Sequence, residues 1–305
     1  MARPALAATR AVAVLDFLAA HVREQHTLSD LAARLDINLA STHAVLNALA
    51  EAGYVVRHPR LKSYALGPSV VALGSAALER HPAIDHARDE ARRLGEETQL
   101  GVSVTAVAGD EIVFLARAGE HRPRGIGAQV GVRIPLEPPI GAVFVAWRDP
   151  AKWLARCADP DAMAEVLEEV RSLGWAVGIE SDASHAAVRD TEPIRPSSPR
   201  SPVDMAAGLR ARSYQVVSSL EAGTQFDVVM IAAPVFDPSG ESLVAITLDG
   251  FPPGLSREEV LAYAEQVRDA ALVATRKSGG RAPTELDLRH RRGAANKRNT
   301  DRGSQ

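Results

Sequence analysis

One cysteine, Cys157, is all the thiol chemistry this 305-residue chain carries. A single thiol excludes an intramolecular disulfide and any multi-cysteine zinc site, and such usage fits a reducing cytoplasm. Long apolar runs are missing as well. No stretch approaches about 18 apolar residues, so no membrane span or membrane partner is expected. The segment Met1 to Arg10 lacks the apolar core of a signal peptide. The histidines show neither HxH nor HExxH spacing, which leaves a metal site without support. Gly125-Ile126-Gly127 has no third spaced glycine and no following helix, so it is no phosphate loop, and no cofactor is implied. A dominant charge sign is absent too: 35 Lys and Arg stand against 38 Asp and Glu. That balance excludes a wholly basic nucleic-acid coat protein. It leaves DNA binding open, because the local field at a docking face matters more than the total.

What is present falls into four stretches. Residues 1–67 are helix-rich and end in a strand–turn–strand signal. Residues 68–82 read as a linker helix, and 83–276 alternate helical and strand patterns. Residues 277–305 hold eight Lys and Arg among few apolar residues and read as a disordered basic tail. In the first stretch, Val12, Val14, Leu15, Phe17 and Leu18 give a helix its inward face. A second helix over Leu28–Leu35 carries Leu28, Leu31, Ala32 and Leu35 at the spacing of a buried stripe. Thr27 caps it, with Asp30 three residues on as its capping-box partner. Asp36-Ile37-Asn38 makes a turn, and a third helix runs from about Leu39 to Ala52 with Val45, Leu46 and Leu49 inward. Gly53 supplies the left-handed stop. Tyr54–Arg57 and Ser63–Leu66 then read as two strands around a basic turn that contains Pro59.

Helix, short helix, turn, helix and hairpin make a winged helix-turn-helix, and its third helix has the dimensions to enter a major groove. Asn38, Ala40, Ser41, Thr42, His43 and Asn47 would then face base edges, although Thr42 also fits an inward position. Arg57, Arg60 and Lys62 lie on or beside the wing, where cations meet phosphate. The surplus is small: seven Lys and Arg against five Asp and Glu in residues 1–67. Topology therefore argues for double-stranded DNA more strongly than charge does. The alternative is a ligand-sensing or partner-binding protein with weak or no sequence-specific DNA binding.

Three segments resemble the IclR family of bacterial transcriptional regulators. They are TLSDLAARLDINLASTHAVLNALAEAGYVVRHPRLKSYALG from Thr27, RIPLEPPIGAVFVAW from Arg133, and MIAAPVFDPSGESLVAITLDG from Met230. The resemblance covers roughly residues 8–275 in order. It implies an α+β protein: a winged helix-turn-helix, a linker helix, and a GAF/PAS-like α/β effector-binding domain with a curved antiparallel sheet. It also implies an operator, a small organic acid or aromatic catabolite as effector, and assembly as a homodimer or homotetramer. One departure stands out. The family's cationic positions entering and midway along the recognition helix fall here on Leu39 and Ala44, which removes the bidentate arginine contacts that discriminate guanine.

In the second domain, a helix over Asp85–Thr98 leads to strands at Gly101–Val107 and Glu111–Arg117 around a Gly109-Asp110 turn. Ile140 to Trp147 reads as a helix whose first amides, near Ile140 and Gly141, favour an anion. A helix over Ala162–Leu173 and a strand over Trp175–Ile179 follow. The resemblance of GWAVGIES to a family segment puts Glu180 in an acidic position. About 182–212 reads as an insertion with a Pro/Ser-rich mobile loop, and Tyr214–Ser218 as a strand beyond it. The resemblance sets Met230, Thr247 and Asp249 on pocket-facing strands, with Glu221 a further candidate. Thr247 and Asp249 are two apart and share a sheet face. A strand methionine is as readily core, and Asp249 beside Gly250 as readily starts a turn. Cys157 beside Arg156 has no histidine near it in sequence and reads as structural, so no enzyme is expected.

Overall fold

The computed structural model describes residues 5–120, 125–126, 129–180, 214–216, 220–283 and 286. The chain divides into two compact units: residues 1–81 with 129–132, and residues 82–128 with 133–305. The expected insertion at about 182–212 lies outside the described residues.

In the first unit, α1 (Leu6–Ala20) precedes β1 (His26–Thr27), α2 (Leu28–Arg34) and α3 (Leu39–Glu51). Strands β2 (Val55–Arg57) and β3 (Ser63–Leu66) form the wing, and α4 (Pro68–Arg80) follows. The capping box at Thr27 forms as expected: its hydroxyl accepts the Asp30 N–H, and the Asp30 carboxylate accepts the Thr27 N–H. Asn38 caps α3 in the same way, its Oδ1 taking the Ser41 N–H at 2.8 Å. Gly53 has φ +73°, the left-handed stop after α3. Val14, Leu18, Leu31, Leu46, Leu49, Val55 and Tyr64 make the small core. Two details differ from expectation. Val12 is 57% exposed, because the α1 stripe turns Val14 and Leu18 inward, with Leu15 and Phe17 packed beside them. His26 and Thr27 add a third strand, pairing with Tyr64 and Ser63; two residues are too few to show a period of two.

The second unit is built on an antiparallel seven-stranded sheet in the order β6-β5-β4-β11-β10-β7-β8. Its strands are β4 (Gly101–Ala108), β5 (Glu111–Ala118), β6 (Arg133–Pro135), β7 (Ala176–Glu180), β8 (Tyr214–Val216), β10 (Val228–Phe236) and β11 (Ser242–Asp249). A separate pair joins β9 (Gln225–Phe226) to β12 (Leu255–Ser256). Two long helices, α5 (Pro82–Thr98) and α9 (Arg257–Lys277), cover one face of the large sheet. Val260, Ala264, Val267, Ala271 and Ala274 of α9 are all buried, a stripe at helical spacing. They pack with Ala87, Ala91 and Leu94 of α5 on Val102, Val104, Ile231, Ile246 and Leu248 of the sheet. The opposite face of those strands meets α6 (Ala142–Val145), after which come α7 (Ala151–Leu154) and α8 (Pro160–Leu173).

The start of the basic tail is ordered, contrary to expectation. The Gly280 and Arg281 amides donate to Thr275 and Asp237 carbonyls, and Leu286 is 1% exposed, beside Gly174. The rest of the tail lies outside the described residues.

Candidate functional site

The face formed by α3 and the wing is open and carries polar and basic side chains beside exposed Leu39 and Leu61. Asn38, Ala40, His43 and Asn47 are exposed, and Asn47 Nδ2 lies 3.5 Å from His43 Nδ1 across one turn. Arg57, Arg60 and Lys62 are exposed on the wing, with the Arg57 guanidinium 6.0 Å from the Tyr64 ring centre. Thr42 does not belong to this face. It is fully buried, its Oγ1 donating to the Asn38 carbonyl at 3.1 Å, because it falls on the same stripe as Leu46 and Leu49. Ser41 is half-buried and receives a hydrogen bond from Arg10 Nη1 at 3.2 Å. That contact delivers a guanidinium from α1 to the entry of α3, where Leu39 supplies none. The sequence conceals it, since the two residues are 31 apart and only the tertiary packing brings them together.

The second site is a cavity on the sheet face turned away from α5 and α9, with an empty volume of about 610 Å³ that includes its opening to solvent. Its floor alternates along the strands: Ser103 and Thr105 on β4, Ile112 and Phe114 on β5, Thr247 on β11, Met230 and Ala232 on β10. Ile126, Ile140, Gly141, Val143 and Phe144 close it from above. The backbone carbonyl of Ile140 accepts a hydrogen bond from Trp153 Nε1 at 3.3 Å, which fixes that edge. Gly141 has φ +89°, a left-handed conformation that favours glycine, and it packs against the tips of Leu136 and Ile112.

Of the expected ligand residues, Ile140, Gly141, Met230 and Thr247 reach the wall. Glu180, Glu221 and Asp249 do not line it. Glu221 is exposed in the turn before β9, and Glu180 is half-buried with its amide donating to the Asp227 carbonyl. Asp249 is buried beside the cavity. Its Oδ1 accepts the Ile126 N–H at 3.2 Å and lies 3.6 Å from Arg117 Nη2. Asp249 thus holds Ile126, a wall residue. The expected anion-binding helix start is a single turn, Ala142–Val145, too short for aligned dipoles to sum appreciably. The residues missed from sequence include Ser103, Thr105, Ile112 and Phe114 on the strands. Their alternation was legible, but not which face would be covered by helices.

Cys157 has its thiol pushed up by burial and directed at the Trp153 carbonyl, the state of a structural cysteine. Among the described residues, no group of three His, Cys, Asp or Glu is placed to hold a metal ion, and no helix is long and apolar enough to cross a membrane.

A winged helix-turn-helix and a cavity-bearing sheet domain in one chain define a ligand-responsive DNA-binding regulator. The comparisons with known proteins agree. The IclR helix-turn-helix domain model matches residues 7–59. The HTH-type transcriptional regulator BhcR of Paracoccus denitrificans is 27% identical over 276 residues, covering 86% of this chain and 83% of that protein. The glycerol operon regulatory protein of Streptomyces griseus is 31% identical over 193 residues, covering 59% and 75%. In fold, the chain is similar to an IclR homolog from Microbacterium hydrocarbonoxydans solved with 4-hydroxybenzoate. The TM-score is 0.57 at 17% identity, covering 89% of this chain and 98% of that one. The chain belongs to the IclR family of transcriptional regulators, which bind DNA and small-molecule effectors.

Proposed function

We propose that this regulator reads an operator with α3 and holds it through the wing, and that its affinity for that operator answers to an effector bound in the sheet cavity. Asn38, Ala40, Ser41, His43 and Asn47 supply the groove face, while Arg10, Arg57, Arg60 and Lys62 supply phosphate contacts. The effector is an organic acid or aromatic catabolite. The 4-hydroxybenzoate complex of the Microbacterium protein favours an aromatic ring. Ile140, Gly141, Met230 and Thr247 contact the ligand, and Asp249 acts on it through Ile126. The observation that carries this reading is the largely apolar cavity, open to solvent on one side, in a chain that also bears a winged helix-turn-helix.

The protein acts in the cytoplasm as a homodimer, or as a homotetramer built from two dimers. Leu6 and Val12 on α1 and Val71 and Leu73 on α4 are each more than half exposed, and α4 buries none of its residues. Such apolar exposure on two helices suits a second copy of the same unit. Two units also bring two recognition helices to an operator, doubling a contact that the small α3 side chains make weakly.

A salt-titrated gel shift with the DNA upstream of the protein's own gene tests the regulator reading. Preference for that DNA over bulk competitor is expected at moderate salt. No preference at any salt overturns it. For the cavity, Thr247→Val is expected to weaken the effector response while leaving DNA affinity unchanged, and an equal response removes Thr247 from the site.

A further inference from the structure

Three hydroxyls meet on the cavity floor. Ser103 and Thr105 are alternate residues of β4, and Thr247 stands directly across the ladder from Ser103. All three are at least nine-tenths buried. Ser103 Oγ has no hydrogen-bond partner among the described residues, although buried hydroxyls are nearly always paired. A polar group left so, on the wall of a cavity, is ready for a ligand atom. The remaining wall is almost wholly apolar, and no described wall residue carries a charge. Among the described residues, the strand cation on this sheet face is Arg117, opposite Ser103 on β5. It lies off the wall with its Nη2 3.6 Å from the buried Asp249 carboxylate.

We propose that the effector is an uncharged ring compound carrying a single hydroxyl or carbonyl, which the Ser103, Thr105 and Thr247 hydroxyls hold while Ile112, Phe114 and Phe144 pack on the ring. This rests on the reading of the cavity as the effector site, and it narrows that reading away from organic acids. An ionised carboxylate over this floor gives up its hydration for hydroxyl contacts and apolar carbon, with Arg117 already engaged by Asp249. Burial without a countercharge drives such a group to take up a proton instead. An alcohol or aldehyde loses far less water on entry, and one or two hydroxyl hydrogen bonds replace it.

The test is a matched panel of single-ring compounds titrated against the full-length protein by ligand-observed NMR: benzyl alcohol, benzaldehyde, acetophenone and benzoate, with their cyclohexane counterparts. At neutral pH, the best neutral member is expected to bind at least about tenfold more tightly than its carboxylate partner. Carboxylate binding is expected to rise as pH falls toward the acid's own pKa. Ser103→Ala should weaken the neutral ligand roughly 3- to 10-fold, the range of one net hydrogen bond. Ala232→Phe, and Ile140→Trp as a second variant at the rim, should abolish binding, with melting curves showing that each variant is folded.

A carboxylate that binds as tightly as the neutral member at neutral pH, and is lost in Ala232→Phe, overturns the ligand class while keeping the site. Loss of that carboxylate binding in Arg117→Gln would then mean that the guanidinium leaves Asp249 for the ligand. Neutral binding that survives both filled-cavity variants overturns the site itself. No neutral member binding at millimolar concentration, or full affinity retained in both Ser103→Ala and Thr247→Val, overturns the proposal as well.

Discussion

His26 sits at the junction of α1, β1 and the wing, 3% exposed. Its ring meets Phe17 edge-on at 4.8 Å and His21 at 5.6 Å. Burial is the largest influence and lowers its pKa below 6.5; Glu24 and Asp30 act upward, His21 and Arg34 downward. The unfolded chain therefore takes up this proton more readily than the folded one. His26 contributes its stability in full above pH 6.5, and loses it as pH falls through the lower folded value. We expect the urea midpoint of the winged unit in the full-length protein to drop between about pH 7 and pH 5.5. In His26→Phe, which keeps an aromatic ring against Phe17, that drop should flatten; an unchanged pH slope would show that another group carries it. Thr42 teaches a related lesson. Its hydroxyl reads in sequence either as a DNA contact or as an inward group, and the stripe that buries Leu46 and Leu49 buries it too.

At the scale of elements, the helix-turn-helix was legible because its signals are local. The Thr27 and Asp30 capping pair, the α2 stripe and the Gly53 stop all act within a few residues of one another. Thr27→Ala removes the cap and is expected to cost about 1 kcal/mol of stability, read as a shifted melting midpoint. The Arg10 contact with Ser41 joins α1 to α3, and no local signal announces it. Replacing Arg10 with Ala should weaken operator and bulk DNA alike and reduce the salt slope of binding by about 1. His43→Ala, by contrast, should relax sequence preference with little change in that slope. Equal slopes for Arg10→Ala and the parent protein would confine Arg10 to a packing role.

Across the whole second unit, α5 and α9 lie side by side on the sheet and are tied by Glu90. The carboxylate is buried and receives Lys277 Nζ at 2.8 Å and Arg93 Nε at 2.9 Å. Burial alone would raise its pKa, but the hydrogen bonds from Lys277 and Arg93 outweigh it and hold the group below 4.5. The tie is accordingly complete above pH 4.5 and lost as pH falls through the folded value. Lys277→Ala is expected to cost about 1 kcal/mol, because Lys277 is half exposed and partly screened by solvent. Its effect should shrink in strong acid as Glu90 takes up a proton. An undiminished effect there would place the Lys277 contribution in packing rather than charge.

How much was readable follows from the range of the forces involved. Caps, turns, left-handed glycines and apolar periods act over a few residues, so the sequence by itself determined the winged helix, several strands and helices of the second unit, and the resemblance that joins them, while the long helix Arg257–Lys277 went unread. The cavity was half visible. Met230 and Thr247 lay in the segment that looks most like the family, while Glu180, Glu221 and Asp249 were expected there and stand elsewhere. Alternation along a strand shows which residues share a face, as Ser103 shares one with Thr105, but both faces of this sheet are buried. Only the tertiary structure decided that the face with Val102 and Val104 would take the helices and that Ser103, Thr105 and Thr247 would be left around an opening. Likewise, only packing over long sequence separations brought Arg10 to Ser41 and Ile126 to Asp249, because a hydrogen bond is blind to the length of chain between its partners.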